Sequence, residues 1–430
     1  MNPSRTVPLP PVVVRKYGGS SLASVRRIRE VARSIGQERA RGRDVVVVVS
    51  AMGGTTDELS ALATEAHPTP PRRELDMLLS VGERITMSLL SMALADMDCP
   101  AISFTGSQCG IITDTSHTDA RILEVRGDRI REALATGSVV VVAGFQGVSR
   151  EKEITTLGRG GSDTTAVALA AALGATHCEI RKDVDGILTA DPRQVPHAQR
   201  HARLTWEELR ELAASGCGVV HLRAAEYAER HRVPLLVCSS FHDGPGTIVG
   251  DLPATGESGS APGAEPAAGP EATCDRTTRY RPLVMHTREG LARIHFEAGD
   301  DATARQLRDT VLCHWDPAGA VAEWLDSGPG LRWEVFATAS ALEPVRGALS
   351  LENDSLPPGC RYEEGWTCVS LAGGRPDSWL EVERYVRGLL REAGTAEGRL
   401  RADGGALRIL FRGAVSPELL RALHDRLLTP

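Results

Sequence analysis

The chain has 430 residues, 42% hydrophobic and 24% charged, which is enough apolar material for two or three cores and excludes a wholly disordered polypeptide. A formal net charge of −7 argues against nucleic acid as the main partner, because phosphate contacts need a clustered cationic surface. Nine cysteines (Cys99, Cys109, Cys178, Cys217, Cys238, Cys274, Cys313, Cys360 and Cys368) form no C-x-x-C pair, so they read as thiols in a reducing cytoplasm.

Residues 1–11 lack the cationic and then apolar layout of a signal peptide, and the valine run 45–49 is far too short to span a bilayer, so no membrane partner is expected. From 12 to about 251, short apolar runs alternate with amphipathic stretches. Strands are predicted at 12–15, 45–50, 101–104, 138–143, 177–181 and 234–238. Helices are predicted at 24–39, 57–65, 72–97, 120–135, 163–173, 205–214 and 219–231. This alternation predicts an α/β half with a mostly parallel sheet. Residues 251–281, rich in Gly, Ala, Pro, Ser and Glu, read as a flexible linker. Beyond it two rounds of strand and helix signals, 291–296 then 302–313 and 407–411 then 417–428, suggest a pair of small β-α-β modules.

Five segments of the first half carry chemistry. Lys16-Tyr17-Gly18-Gly19-Ser20-Ser21 follows the first strand; its glycines let backbone approach a phosphate and Lys16 supplies a point charge, although the P-loop spacing is absent. Ser50 to Leu59 gathers hydroxyls at the end of the second strand, with Thr56 or Asp57 as a possible helix cap. Glu83, beside Gly82 in an apolar helix, is placed either to hold a cation such as a substrate ammonium or to pair on the surface. Thr155-Thr156-Leu157-Gly158-Arg159-Gly160-Gly161-Ser162-Asp163 sets a carboxylate-binding cation, three glycines, a hydroxyl and a carboxylate at a helix mouth, where backbone N–H groups favour anions. Asp183 to Arg193 contains Asp-Gly and Asp-Pro turns without the later ligands of an EF-hand. The twelve histidines show no pair at metal-ligand spacing beside suitable cysteines, so no protein-held metal is expected.

In this order the segments resemble the aspartate kinase branch of the amino acid kinase family. Its K-[FY]-G-G-[ST]-S, S-A-M-G-x-T-T-D-x-L, G-E, S-x-T-G-x-Q-[AC]-G, G-F-x-G, T-T-L-G-R-G-G-S-D and D-V-D-G motifs stand at Lys16 to Ser21, Ser50 to Leu59, Gly82-Glu83, Ser103 to Gly110, Gly144 to Gly147, Thr155 to Asp163 and Asp183 to Arg193. The resemblance implies a three-layer α/β/α sandwich over 12–250 and a smaller α+β, divergent ACT-like regulatory and dimerisation region over 282–430. It implies a cytoplasmic homodimer that transfers the γ-phosphoryl group of Mg-ATP to the β-carboxylate of L-aspartate, with the Mg2+ carried on the nucleotide. By that analogy Lys16, Asp163 and Arg159 are catalytic, and Ser50, Thr56, Glu83, Arg159, Gly161 and Ser162 hold aspartate. Lys16, Gly18, Gly19, Ser20, Lys182, Asp183, Leu188, Asp191 and Arg193 line the nucleotide.

The departures fall on the nucleotide side. Arg181 and Lys182 replace an aromatic and a small hydroxyl residue, Leu188 replaces a tyrosine, and Gly218 stands where the family has a phosphate-reaching lysine. Lys182 or Arg181 is expected to supply the missing cation. The glycine-rich effector loop of ACT modules is not recognisable, so feedback inhibition by lysine or threonine is expected to be weak or absent. The alternatives are a regulatory paralogue without turnover and a kinase for a related amino acid carboxylate.

Overall fold

The computed structural model describes residues 11–252, 283–298, 320–326, 331–339, 341–342, 345–346, 360–373, 379–392, 399–403 and 405–428. They fall in two compact units. The first runs to Ile187 and takes in Arg200–Ala213 and the stretch from Gly218 to 252; the second comprises Leu188–Gln199, Ala214–Cys217 and the described residues from 283 onward.

The first unit begins with β1 (Val12–Tyr17), α1 (Val25–Ala40), β2 (Asp44–Val49), α2 (Thr55–Ala66), α3 (Arg72–Leu79), α4 (Val81–Ala95) and β3 (Ala101–Phe104). There follow β4 (Ile111–Thr113), β5 (Ile122–Val125), α5 (Asp128–Ala135), β6 (Val139–Ala143), β7 (Gln146–Ser149), β8 (Ile154–Thr156) and α6 (Gly161–Leu173). The unit closes with β9 (His177–Lys182), β10 (Arg203–Leu204), α7 (Trp206–Ala214), α8 (Leu222–His231), β11 (Leu235–Ser239) and β12 (Thr247–Val249). The main sheet has the order β10-β12-β11-β9-β1-β2-β6-β3, and only the β11–β12 pairing is antiparallel. Its middle strands are valine runs with almost no exposure, the signature of parallel strands covered on both faces.

Strand alternation then sorts the side chains. Tyr17, Val45, Val47, Val49, Val139 and Val141 pack on Ile28, Val31, Ala32 and Ile35 of α1 and on Met87, Leu90 and Leu94 of α4. Lys16, one residue out of phase with Tyr17, faces the opposite layer, where α6 is buried on all sides from Gly161 to Ala170. Only small side chains let a helix sit that close to a sheet, and α6 reads Gly-Ser-Asp-Thr-Thr-Ala-Val-Ala-Leu-Ala. This is the expected three-layer arrangement.

Three boundaries differ from those expected. The predicted helix 72–97 is two helices, α3 and α4, that meet at Ser80, whose carbonyl oxygen accepts a hydrogen bond from Gln146 Nε2 at 2.9 Å. The stretch Arg72–Ala95 is long and apolar enough to cross a membrane by composition, yet the inner face of α4 belongs to the core above. The predicted helix 120–135 is β5 followed by α5, separated by Gly127 at φ 70°, a left-handed conformation that ends the strand. Gly54, not Thr56 or Asp57, is the N-cap of α2, and it caps without a side-chain bond. A second sheet, β5-β4-β7-β8, was not foreseen because its strands are only three or four residues long.

The second unit is built on an antiparallel sheet of β13 (Val284–Ala298), β14 (Ala320–Asp326), β15 (Leu331–Thr338), β16 (Cys360–Ala372), β17 (Arg399–Asp403) and β18 (Ala406–Arg412), in the order β14-β15-β13-β16-β18-β17. Helices Trp379–Glu392 and Pro417–Leu427 cover it, joined in one core by Val369, Leu371, Leu407 and Ile409 and by Ala190 and Val195 of the segment Leu188–Gln199. The strands of the two rounds expected here stand in one continuous sheet, in which the fifteen-residue β13 pairs with both β15 and β16. The predicted strands 291–296 and 407–411 lie within these elements, and the predicted helix 417–428 is Pro417–Leu427, started by the Ser416 cap and Pro417. The predicted helix 302–313 and all but the first two residues of the predicted linker 251–281 lie outside the described residues.

Candidate active site

The loops after β1 and β2 meet at the carboxyl edge of the sheet, where open α/β folds bind their ligands. They touch backbone to backbone: Gly53 N–H donates to Gly19 O at 3.1 Å, and Ser50 N–H to Tyr17 O at 3.2 Å. A Cβ on Gly19 would stand 2.9 Å from Ala51 O and 3.0 Å from Gly53 O, so this approach requires glycine. Gly18 lies beside the Lys16 ammonium, and Ser20 is exposed. Ser50 and Thr56 are partly buried along the second loop and the first turn of α2.

At the centre is a buried carboxylate between two lysines. Lys16 Nζ is 2.6 Å from Asp163 Oδ1 and Lys182 Nζ is 3.4 Å from Oδ2. Burial alone would raise the carboxyl pKa, but Lys16 and Lys182 outweigh it and hold Asp163 well below the usual range. Asp163 sits in the first turn of α6, where the helix dipole favours its charge as well. The three groups carry a net positive charge in a nearly dry position, which suits a polyanionic ligand.

The loop into α6 is shaped by contacts that admit only glycine. Gly160 has φ 69°, and a Cβ there would overlap the His221 ring at 2.1 Å. Gly160→Ala is accordingly expected to displace the loop and to lower both thermal stability and ligand affinity, which a melting curve and a titration of the variant would register. Gly161 packs on Phe145 and Leu157, and Ser162 is buried against Gly144. Behind the loop, fully buried Asp76 accepts hydrogen bonds from Thr156 Oγ1 at 2.5 Å and from the Thr118 N–H at 3.0 Å, with His117 Nδ1 2.6 Å away. Asp76→Ala would leave buried donors unpaired, at a cost of about 1–3 kcal/mol each; an unchanged melting temperature would contradict this role. Arg159 is exposed at the tip of the loop and has no hydrogen-bond or ion-pair partner among the described residues.

Glu83 lies in the first turn of α4 and is 3% exposed. Its Oε1 accepts the Ala51 N–H at 3.1 Å while Oε2 is buried without a partner. Burial pushes its pKa up to about 7, against the lowering effect of its backbone hydrogen bonds. A buried half-satisfied carboxylate beside the Ser50 loop is a ready acceptor for a cationic group.

On the nucleotide side the expected set divides. Lys182 Nζ is 3.5 Å from Gly218 O, and a side chain at Gly218 would enter open space. Arg181, the other expected cation, is committed instead: its Nε donates to Glu179 Oε2 at 2.7 Å and its Nη1 to Ser239 O at 3.3 Å. It completes a buried network of Arg15, Glu38 and Glu179 on the α1 face, so its charge is already used. Asp183 is exposed beyond β9. Leu188, Asp191 and Arg193 belong to the second unit, where Arg193 and Asp191 close a bidentate pair with contacts of 2.6–3.1 Å. Asp76 and His117 were missed by sequence reasoning, and only the fold brings them to the loop; His221, expected to cap or coat a helix, is the N-cap residue of α8.

A parallel α/β sheet whose glycine loops, buried lysines and helix mouth converge on one edge defines a phosphate-handling fold. Residues 11–239 match the amino acid kinase family, and the chain belongs to that family. Over 239 residues it is 57% identical to the aspartokinase of Corynebacterium efficiens, and over 238 residues 52% identical to that of Pseudomonas aeruginosa. These matches take in 55% of this chain and 57–58% of the relatives, so they span little more than half the length of either. Among solved structures, the aspartate kinase from Synechocystis is 34% identical with a TM-score of 0.52, covering 97% of this chain and 70% of that one. Escherichia coli aspartokinase III, in complex with aspartate and ADP, shares the fold at a TM-score of 0.70 and 22% identity over 97% of this chain and 99% of its own.

Proposed function

We propose that the chain phosphorylates the β-carboxylate of L-aspartate with Mg-ATP, giving 4-phospho-L-aspartate. The observation that carries this reading is the Lys16–Asp163–Lys182 cluster at the sheet edge, inside a half that is more than 50% identical to aspartokinases. An acceptor carboxylate is already ionised at neutral pH and needs no general base; catalysis is alignment and neutralisation of charge. In this reading Lys16 steadies the transferring phosphoryl group while Asp163 orients both ammonium groups, and Gly18, Gly19 and Ser20 offer donors to the phosphates. The cluster holds no carboxylate free of a lysine, so Mg2+ belongs with the nucleotide, where it neutralises phosphate charge.

For the acceptor, Arg159 is the fork for a carboxylate, Glu83 takes the ammonium, and Ser50, Thr56, Gly161 and Ser162 complete the pocket. Asp183, just past β9 in the same unit, would line the nucleotide. The second unit would act as a divergent ACT-like region supporting a homodimer in the cytoplasm. Product trapping tests the chemistry: incubation with Mg-ATP, L-aspartate and hydroxylamine should yield aspartyl hydroxamate, and ATP consumption without hydroxamate would oppose the reading.

Lys182 takes the place of the cation absent at Gly218. Lys182→Ala is expected to raise the KM for ATP about tenfold or more while leaving that for aspartate nearly unchanged, and adding Gly218→Lys should restore most of the loss. An unchanged KM for ATP in the single variant would contradict this assignment.

A further inference from the structure

We propose that His197, His424 and Asp425 form a site for a divalent transition metal, best matched to Zn2+. His424 and Asp425 lie in the last turn of the helix Pro417–Leu427, and His197 comes from the segment Leu188–Gln199 of the same unit. Their ligand atoms all fall within 4.8 Å of one another. His424 Nδ1 is 3.2 Å and His197 Nε2 2.5 Å from the same oxygen, Asp425 Oδ1, with the two rings edge to face at 5.1 Å.

The donor set decides the metal. Two imidazoles and one carboxylate suit Zn2+ and its neighbours, whereas Mg2+ and Ca2+ demand oxygen ligands throughout. Donors about 2.0–2.1 Å from a tetrahedral ion stand roughly 3.3 Å apart. The His424–Asp425 separation already has that value, and His197 and Asp425 are each about half exposed (50% and 52%), so they can part by the remaining distance. That exposure also leaves room for water as a fourth ligand and a path for the ion.

The support around the ligands is built in. Buried His424 has its other ring nitrogen, Nε2, 2.9 Å from Thr189 Oγ1, which itself accepts the Gln199 N–H at 2.9 Å. Such an outer hydrogen bond orients an imidazole so that the opposite nitrogen meets a metal. The segment is closed on itself by the Thr189 N–H to Gln199 O bond and pinned to β13 by the Met285 N–H to Thr189 O bond, both 2.8 Å. Val195 anchors it in the same core as Leu420, Leu423 and Leu427. A bound ion would thus brace an already positioned segment against the helix. Without an ion, Asp425 Oδ1 lies within hydrogen-bond distance of both imidazoles, a weaker link between the same elements. Nothing in this site depends on the kinase reading.

The test uses the full chain stripped by a chelator and titrated with Zn2+ against a chromophoric competitor, then with Co2+, followed by visible absorption. The expected result is one saturable equivalent, intense low-coordinate Co2+ bands, and a melting temperature raised by Zn2+. His197→Ala and Asp425→Asn should each weaken binding at least tenfold and abolish the Zn2+-dependent stabilisation, with the metal-free melting temperature little changed. Thr189→Ala should weaken it about tenfold through ring orientation. Absence of a saturable equivalent, or a Zn2+ affinity untouched by His197→Ala, would overturn the site and leave only a hydrogen-bonded contact.

Discussion

Lys16→Ala is expected to reduce turnover by about 10³-fold or more, the scale set by removing a preorganised charge from a dry reaction centre. The ammonium is 2.6 Å from Asp163, and both groups are buried, so no water can stand in for it. The same substitution removes one partner of a buried pair, which costs about 3–5 kcal/mol when the remaining charge is uncompensated. Lys182, at 3.4 Å, offsets part of that cost. The two consequences separate in a double variant: Lys16→Met with Asp163→Asn should regain stability without regaining turnover. Because the Asp163 pKa is depressed, the stability it contributes is present above its unfolded value of 3.8 and is lost only as pH falls through the lower folded value. A neutral-pH melting curve of the double variant therefore reads packing, not titration.

The second large effect is the pH dependence set by Glu83. Its folded pKa of about 7 lies above the ordinary 4.5, so without ligand the folded state holds more protons than the unfolded one between these values. Its contribution to stability is full below 4.5 and is lost as pH rises toward 7, a change on the order of 3 kcal/mol for a shift of this size. An ammonium ligand reverses the preference, since it favours the ionised form. The KM for aspartate should therefore fall as pH rises from about 6 to 8, and binding below pH 7 should release a proton. Glu83→Gln should flatten both the stability slope and the KM profile, with aspartate affinity low throughout. A variant that retains the wild-type KM profile would assign the titration to another group.

Much of this architecture is legible in the residues themselves. The valine runs of β1, β2 and β6 announce buried parallel strands, and the glycines of 158–161 announce a loop held against other backbone or rings. The motif order also points to Lys16 and Asp163, which the fold brings to 2.6 Å of each other, whereas Arg159 stands exposed at the loop tip. Other features are invisible at that level. Helix 72–97 keeps one apolar rhythm through Ser80, and only the tertiary bond from Gln146 marks the break. Arg181 and Lys182 are adjacent cations, yet strand alternation sends one to the Glu179 network and the other to Asp163. His197 and His424 stand 227 positions apart, so no spacing rule could have joined them. The single antiparallel sheet of the second unit was hidden for a similar reason, since its pairings link strands distant in sequence.

The most direct test of the central claim is ADP release by the purified full chain with Mg-ATP, measured with and without L-aspartate and repeated with Lys16→Ala. The cluster at Asp163 predicts turnover that requires aspartate and disappears in the variant. Aspartate-independent release, or silence from a folded and monodisperse sample, would contradict it.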